Sequence, residues 1–288
     1  MKSNRAVQSS CDWSSRSIWS ALALVGWVAA TASLGACANA PEPPPLAAAY
    51  QRVGVVSLAA GELTQRQTGY ENRDRVRVPK PSVRDIANWQ VDRAYEEQLA
   101  AAVQVVMGVA PVKASAPAVT LAALNDPGNP YMQPGFWQYH TDPVAATLRE
   151  YCADNRLDAL VVATQSTDED VLGGTYQALA GAGIYDHGGN HLVHLSAALR
   201  LVDCETGRTL EHRHLASSRS FSASHGYPVR ALPVALTRKA SAQWTSDDET
   251  QLRQVLIALP ADAWVDTLED MVHPGRPPVP PRALMPNS

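Results

Sequence analysis

The segment from Leu157 to Thr164, L-D-A-L-V-V-A-T, constrains the fold of this chain more than any other. It is an apolar, β-branched run of the length of a single strand, and it follows directly on a segment with helical periodicity. In that segment Asp142-Pro143 has the form of an N-cap followed by proline at the first helical position, and Asn155 ends the periodic pattern. A helix that leads at once into a strand indicates helices packed on a sheet.

A second strand pattern begins about 30 residues later and predicts a long antiparallel hairpin. From His194 to Asp203, leucine and alanine side chains alternate with Ser196, Ala198 and Arg200. The sequence D-C-E-T-G that follows, ending at Gly207, has turn chemistry, because glycine adopts positive φ without steric cost. The segment 208–217 is predicted to be the returning strand.

The remaining predicted elements complete one α/β (α+β) domain over residues 51–273, with a mixed β-sheet, helices packed on it and the order β-α-β-α-β-β-β-α. Two of them are strands, a buried one from Arg52 to Leu58 and another from Val109 to Ala114. A helix is predicted to start at Ser82 with Asp85 and to stop at Gly108. The last helix starts with a capping box of Ser246 and Glu249, is broken or kinked at Pro260 and continues to Val272.

The N-terminal segment has the features of a bacterial export signal. Lys2, Arg5 and Arg16 precede a charge-free run from Ile18 to Leu34. The residues Leu34-Gly35-Ala36-Cys37 then resemble a lipobox, the site at which lipoproteins are cleaved and acylated on cysteine. We therefore expect residues 1–36 to be a signal peptide and Cys37 to carry the lipid. An uncleaved anchor helix and a plain secretory signal are the alternatives, and each of them also places the domain outside the cytoplasm.

The residues after Cys37 indicate how the domain is attached. Residues 37–50 include four prolines and are expected to form a semi-rigid tether, and the proline-rich residues 274–288 are expected to be a disordered tail. Ala38 follows the cysteine, whereas aspartate at that position in lipoproteins signals retention in the inner membrane. We expect the protein to be anchored to the outer membrane, with its domain facing the periplasm.

Charge and aromatic content argue against a nucleic-acid partner. The formal net charge is -4, positive and negative residues are interspersed, and only 6% of residues are aromatic. Trp89, Trp137, Trp244 and Trp264 are more typical of core or packing positions than of a binding site.

Cys152 and Cys204 remain after Cys11 in the signal and Cys37 are set aside. If the strand ending near Asp203 pairs antiparallel with the one beginning near Leu157, both cysteines fall at the same edge of the sheet. A disulfide is then possible in an oxidising compartment, and two small core residues are the alternative.

The histidines and glycines of the segment 166–191 raise the question of a metal or ligand site. Zinc requires three or four converging ligands, and the glycines between His187 and His191 disfavour a helix that would align them, so we expect solvated histidines, no metal and no cofactor. His194, His212 and His214 lie nearby in sequence and are included in that expectation. The glycines contain no phosphate-loop motif and predict a mobile loop.

The order of these elements resembles a periplasmic α/β fold. The strand L-R-L-V-D-C-E-T-G (199–207) and the glycine-rich insertion before it are similar to the curli-secretion lipoprotein, the penicillin-binding-protein activator lipoproteins and the N-terminal domain of the Tol-system propeller protein. This resemblance implies a non-enzymatic protein that contacts an envelope protein or copies of itself. The alternative is an envelope hydrolase, or a ligand- or metal-binding protein, that uses the Gly/His-rich segment 166–191.

Overall fold

The computed structural model describes residues 49–67, 81–114, 121, 124–125, 144–169, 178–187, 190–215, 228–237, 239 and 241–273. The predicted signal (1–36), Cys37, nearly all of the tether, the tail (274–288) and Asp142-Pro143 lie outside these residues. The described residues form a mixed sheet of nine strands with helices on both faces, which confirms the predicted α/β class. Among them, no helix is both long and apolar enough to cross a lipid bilayer.

The strands are β1 Val53–Ser57, β2 Glu62–Gln67, β3 Ser82–Asp85, β4 Ala159–Gln165, β5 Thr167–Glu169, β6 Ala178–His187, β7 Asn190–Asp203, β8 Arg208–His214 and β9 Val229–Ala231. The helices are α1 Val91–Met107, α2 Ala145–Asn155, α3 Val234–Thr237, α4 Ser246–Ala258 and α5 Ala263–Val272, with short 3-10 turns at Ala87–Trp89 and Ser241–Gln243.

Strand β7 runs through the middle of the sheet. Its 14 residues form the longest described strand. The C-terminal half pairs antiparallel with β4 on one side and β8 on the other, and the N-terminal half pairs with β6 and β9. Strand β1 lies parallel to β4, and β2 lies parallel to β6. The predicted hairpin of β7 and β8 is therefore the framework on which the other strands are arranged.

The sheet buries both of its faces. On the first face, alternate residues such as Val161, Leu199 and Leu201 join the core that α1, α4 and α5 complete. On the second face, Leu160 and Val202 pack in a separate cluster with residues of α2. Because side chains alternate along a strand, a strand covered on both faces is apolar at consecutive positions, which explains the run in β4.

The helices on the first face are held together by buried aromatic contacts. The hydroxyl of Tyr95 donates to the carbonyl oxygen of Leu256 at 2.8 Å, and its ring meets that of Trp264 edge-on at 5.5 Å between centroids. The indole nitrogen of Trp264 donates to Gln98 Oε1 at 3.1 Å. Burial raises the pKa of Tyr95, and its hydroxyl remains a neutral donor. Trp264 is thus the core residue that the sequence predicted.

The chain enters β1 through a clamp formed by Asp158. Its Oδ2 accepts hydrogen bonds from the backbone nitrogens of Gln51, at 3.2 Å, and Arg52, at 3.0 Å. Asp158 directly precedes β4, so the clamp joins the starts of two parallel strands.

The predicted helix start at Ser82 is wrong. Residues 82–85 form β3, which pairs with β2, and α1 begins only at Val91. Asp85 does act as a local cap, but for the 3-10 turn, where its Oδ1 accepts from the nitrogen of Ala87 at 2.8 Å. A cap residue cannot by itself distinguish a single turn from a long helix.

Two other predicted boundaries are corrected. The strand predicted over Val109–Ala114 is reduced to one parallel bridge between Val112 and Gly54. The capping box of α4 lies one residue earlier than predicted, with Thr245 and Asp248 in place of Ser246 and Glu249. Asp248 also binds Lys239, and this contact and Thr245 lower the pKa of Asp248 to about 2. The predicted break at Pro260 is confirmed, because α4 ends at Ala258 and α5 begins at Ala263.

The mobile loop predicted within 166–191 is also wrong for the described residues. Strands β5, β6 and the start of β7 occupy most of this segment, and residues 170–177 and 188–189 lie outside the description. The glycines obscured the strand pattern. In β6, Gly183 has a packing role, because a Cβ there would lie 2.3 Å from His194 Nε2 and 2.8 Å from the backbone oxygen of Thr64.

The turn after β7 requires a glycine at position 207, and a substitution there tests this requirement. Gly207 has φ +70°, and a Cβ at this position would lie 2.2 Å from the backbone oxygen of Ala145 in α2. We expect Gly207→Ala to lower the free energy of unfolding by about 2–4 kcal/mol, since it adds both backbone strain and overpacking. Urea denaturation monitored by circular dichroism measures this change.

Gly61→Ala is the matched control, because a Cβ at Gly61 meets nothing within 4 Å. It should change the free energy of unfolding by less than about 0.5 kcal/mol. Equal effects of the two substitutions would contradict the described turn.

Candidate functional site

The second face of the sheet carries a group of polar side chains between two apolar clusters. We call Thr164, Ser166, Arg200, His212 and His214 the polar strip. At one end of it lies the cluster that includes Leu160 and Val202, and at the other end lie Leu179 and Tyr185. The contrast with the apolar first face makes the polar strip the candidate functional site.

Strand register explains how the polar strip is assembled. Ala198 of β7 is flanked in register by Thr164 of β4 and His214 of β8, and Arg200 is flanked by Val162 and His212. Register partners share a face, so residues from three strands meet there. Ser166 lies just beyond β4, where its nitrogen donates to the carbonyl oxygen of Ser196 at 3.1 Å.

A hydrogen bond spans β7 within the polar strip. Ser166 Oγ lies 2.8 Å from His214 Nδ1. Between β4 and β8, Ala198 contributes only a methyl group, which leaves room above the strand for two side chains to meet. A hydroxyl paired with an imidazole can serve as a nucleophile with its general base, or as two oriented groups that bind a ligand.

Four of the five residues of the polar strip are deeply buried, and His214 is partly exposed. Thr164 and Arg200 are 0% exposed, Ser166 is 1% exposed and His212 is 6% exposed. Within the part of the chain that the structure describes, Thr164 Oγ1 and His212 Nδ1 have no hydrogen-bond partner. A buried polar atom without a hydrogen-bond partner lowers the free energy of unfolding by about 1–3 kcal/mol. Such atoms are unusual in native folds, so these two require an explanation.

The charged groups around His212 in the described part of the chain are positive. The pKa of His212 is lowered to about 3, first by burial and then by the positive charges of Arg200, His214 and Arg213. His212 is therefore neutral in the folded protein near pH 7, and the guanidinium of Arg200 remains as a buried cation.

The backbone amides beside Ser166 do not form an oxyanion hole. Acyl transfer from a serine needs donors aimed at the developing oxyanion. The nitrogen of Ser166 is already bonded to Ser196, and the nitrogen of Gly181 donates to the carbonyl oxygen of Ser166 at 3.4 Å. Both amides are therefore committed to the sheet.

The two cysteines predicted to lie at one edge of the sheet are bonded to each other. The Sγ atoms of Cys152 and Cys204 are 2.10 Å apart and the Cα atoms are 5.6 Å apart. The antiparallel pairing of β4 with β7 places Asp203 opposite Ala159, which brings Cys204 beside the end of α2. The disulfide fixes α2 to the second face, next to the cluster that borders the polar strip.

The expectation of solvated histidines is wrong for His194 and His212, which are 1% and 6% exposed. The ring of His194 fits into the space left by Gly183, a contact that local sequence does not reveal. His191 and His214 are partly exposed, and the side chain of His187 lies outside the description. Among the described residues, no three histidine, cysteine or acidic side chains are grouped so that they could hold a metal ion.

Sequence reasoning placed Arg200 on the face opposite the leucines of β7 but did not identify it as a site residue. Its signal was a charged residue in the interior of an otherwise uncharged strand, L-S-A-A-L-R-L-V. Thr164 gave no comparable signal, because threonine is common in buried strands.

Two tryptophans have the packing role that was predicted for them. Arg84 of β3 lies between the rings of Trp89 and Trp244, with its guanidinium carbon 5.6 and 5.7 Å from the ring centroids, and it also pairs with Glu249 of α4. This contact attaches the edge strand to the helical layer. Trp137 lies outside the described residues.

Comparison with known proteins does not identify the chain. No protein-family model matches it, and no curated protein does. A solved structure of the hypothetical protein CT253 from Chlamydia trachomatis is similar over 77% of this chain and 98% of that chain, with 15% identity and a TM-score of 0.33. At this TM-score the similarity carries no structural or functional argument.

The burial of His212 predicts that the stability of the folded protein depends on pH. The pKa of His212 is near 6.5 when the chain is unfolded and about 3 when it is folded, so between these values the unfolded state holds a proton that the folded state does not. The free energy of unfolding should fall as pH is lowered from 6.5, by up to about 1.4 kcal/mol per pH unit from this residue. Urea denaturation at pH 7, 6 and 5 should show a shallower decline for His212→Gln than for the wild type.

His273→Gln is the control, because His273 is a partly exposed residue at the end of α5. This variant should keep the wild-type slope. Parallel curves for His212→Gln and the wild type would show that His212 does not titrate as described.

Proposed function

We propose that this chain is a lipoprotein of the bacterial cell envelope that acts through protein contacts rather than by catalysis. Residues 1–36 direct export, Cys37 carries the lipid, and the domain faces the periplasm from the outer membrane. Its partner is an envelope protein or a second copy of the chain.

The disulfide between Cys152 and Cys204 is the observation that carries this proposal. Disulfides persist in oxidising compartments and are rare in the cytosol. With a separation of 52 residues, this bond stabilises the fold by about 4 kcal/mol in the chain-entropy model. A domain that contains such a bond suits the periplasm, where the signal-like N-terminal sequence would send it.

An open sheet edge supports the protein-contact part of the proposal. Among the described strands β3 pairs with β2 alone, and Val83 is 56% exposed. An edge strand presents backbone groups that can pair with a strand from another chain. The packing of Arg84 against two tryptophans attaches this edge strand to the helical layer.

The resemblance to the curli-secretion, penicillin-binding-protein activator and Tol-propeller proteins is part of the same proposal. It is supported by the strand and turn at 199–207, which lie in the hairpin of β7 and β8, and not by the full predicted order of elements, which differs from the observed one. It would assign the domain to a class that binds other envelope proteins.

Lipid attachment is tested by Cys37→Ala in the full-length chain. This variant should lose incorporation of radiolabelled palmitate and should move from the membrane to the soluble fraction, since the acylated sulfur is the proposed anchor. Cys11→Ala is the control and should be labelled and fractionated like the wild type. Unchanged labelling of Cys37→Ala would refute the lipoprotein assignment.

The contact surface is tested with a photo-crosslinking amino acid at Val83 in intact cells. We expect a discrete adduct from position 83, identified by mass spectrometry as one envelope protein or as a dimer of the chain. The same residue at Val105, which is 72% exposed on α1, is the matched control and should give none. Equal adducts at both positions, or none at either, would contradict an interaction through β3.

A further inference from the structure

The polar strip has properties that a surface for protein contacts does not require. Its residues come from three strands and from Ser166 just beyond β4, all but His214 are buried, and they lie on the face opposite the main helical core. We propose that the polar strip is a binding site for a small oxyanion, a carboxylate or phosphate group, held by the guanidinium of Arg200 and the hydroxyls of Thr164 and Ser166. This inference does not depend on the proposed lipid anchor or on the contact at β3.

The charge of the polar strip selects an anion. Arg200 is fully buried, makes contacts of its own within the fold, and presents a planar set of donors that matches the geometry of an oxyanion. Among the described residues, the charged groups that act on His212 are Arg200, His214 and Arg213, and all three are positive. The acidic residue of β8, Glu211, is in register with Leu201 on the first face and pairs there with Arg213 at 2.9 Å.

The two unpartnered atoms indicate where a ligand would bind. Thr164 Oγ1 and His212 Nδ1 are on strands that flank β7, and among the described residues neither has a hydrogen-bond partner. An oxyanion would accept a hydrogen bond from the threonine hydroxyl, and from His212 in the tautomer that carries the proton on Nδ1. Binding would thus remove the cost of leaving these atoms unpaired.

Small and oriented residues complete the proposed site. Ala198 lies between Thr164 and His214 and adds only a methyl group to the floor of the site. Ser166 is two residues after Thr164, and its hydroxyl is positioned by His214 Nδ1. Two hydroxyls and one guanidinium form an arrangement that binds an oxyanion without any requirement for catalysis.

The test uses Thr164→Val in the full-length protein purified in detergent. Valine has nearly the shape of threonine, so this variant removes the unpartnered hydroxyl and leaves the packing in place. Thermal unfolding and calorimetric titration are compared in sodium phosphate, sodium acetate and sodium chloride at equal ionic strength. The wild type should bind phosphate or acetate saturably with a raised unfolding midpoint, and Thr164→Val should bind that anion about tenfold more weakly.

In chloride, Thr164→Val should unfold at the same temperature as the wild type or higher, because the lost hydroxyl had no partner. Ser166→Ala should also weaken binding, whereas Thr250→Val, at an exposed hydroxyl of α4, should not. Binding of phosphate alone identifies a phosphate ligand, and binding of acetate alone identifies a carboxylate. The proposal is overturned if neither anion binds the wild type, or if Thr164→Val lowers the midpoint in chloride and leaves anion binding unchanged.

Discussion

Every layer of this domain is built against strand β7, because its two edges bind four other strands and its two faces bind different sets of side chains. A shift of β7 by one residue would disturb its pairing with all four strands, because such a shift exchanges the two faces. The residues of β7 therefore have to fit both faces of the sheet. Its leucines face the core under α1, α4 and α5, and Ser196, Ala198 and Arg200 face the opposite side.

The parts of the fold that the sequence predicted are those with local causes. The apolar run of β4, the turn at Gly207 and the break at Pro260 each depend on a few neighbouring residues, and each is found where it was expected. The positions of Cys152 and Cys204 followed from one correct assumption, the antiparallel pairing of β4 with β7.

The parts that sequence did not predict depend on residues far apart in the chain. Strand β6 carries glycines that normally weaken a strand, and its reason for them, the ring of His194, is on another strand. Strand β3 was mistaken for a helix start because its partner β2 lies beyond a segment of more than ten residues. The polar strip could not be assembled from spacing alone, since Thr164, Arg200 and His212 meet only through the register of three strands.

The clamp of Asp158 on the backbone of residues 51 and 52 lies where a pull on the N-terminal segment would first load the domain. A pull on the N-terminal segment along the axis of β1 reaches the clamp first and then the parallel ladder to β4. In that direction the ladder is loaded in shear, so its hydrogen bonds resist together rather than opening one after another. The point at which the chain enters the sheet is thus suited to carrying tension without unravelling the domain.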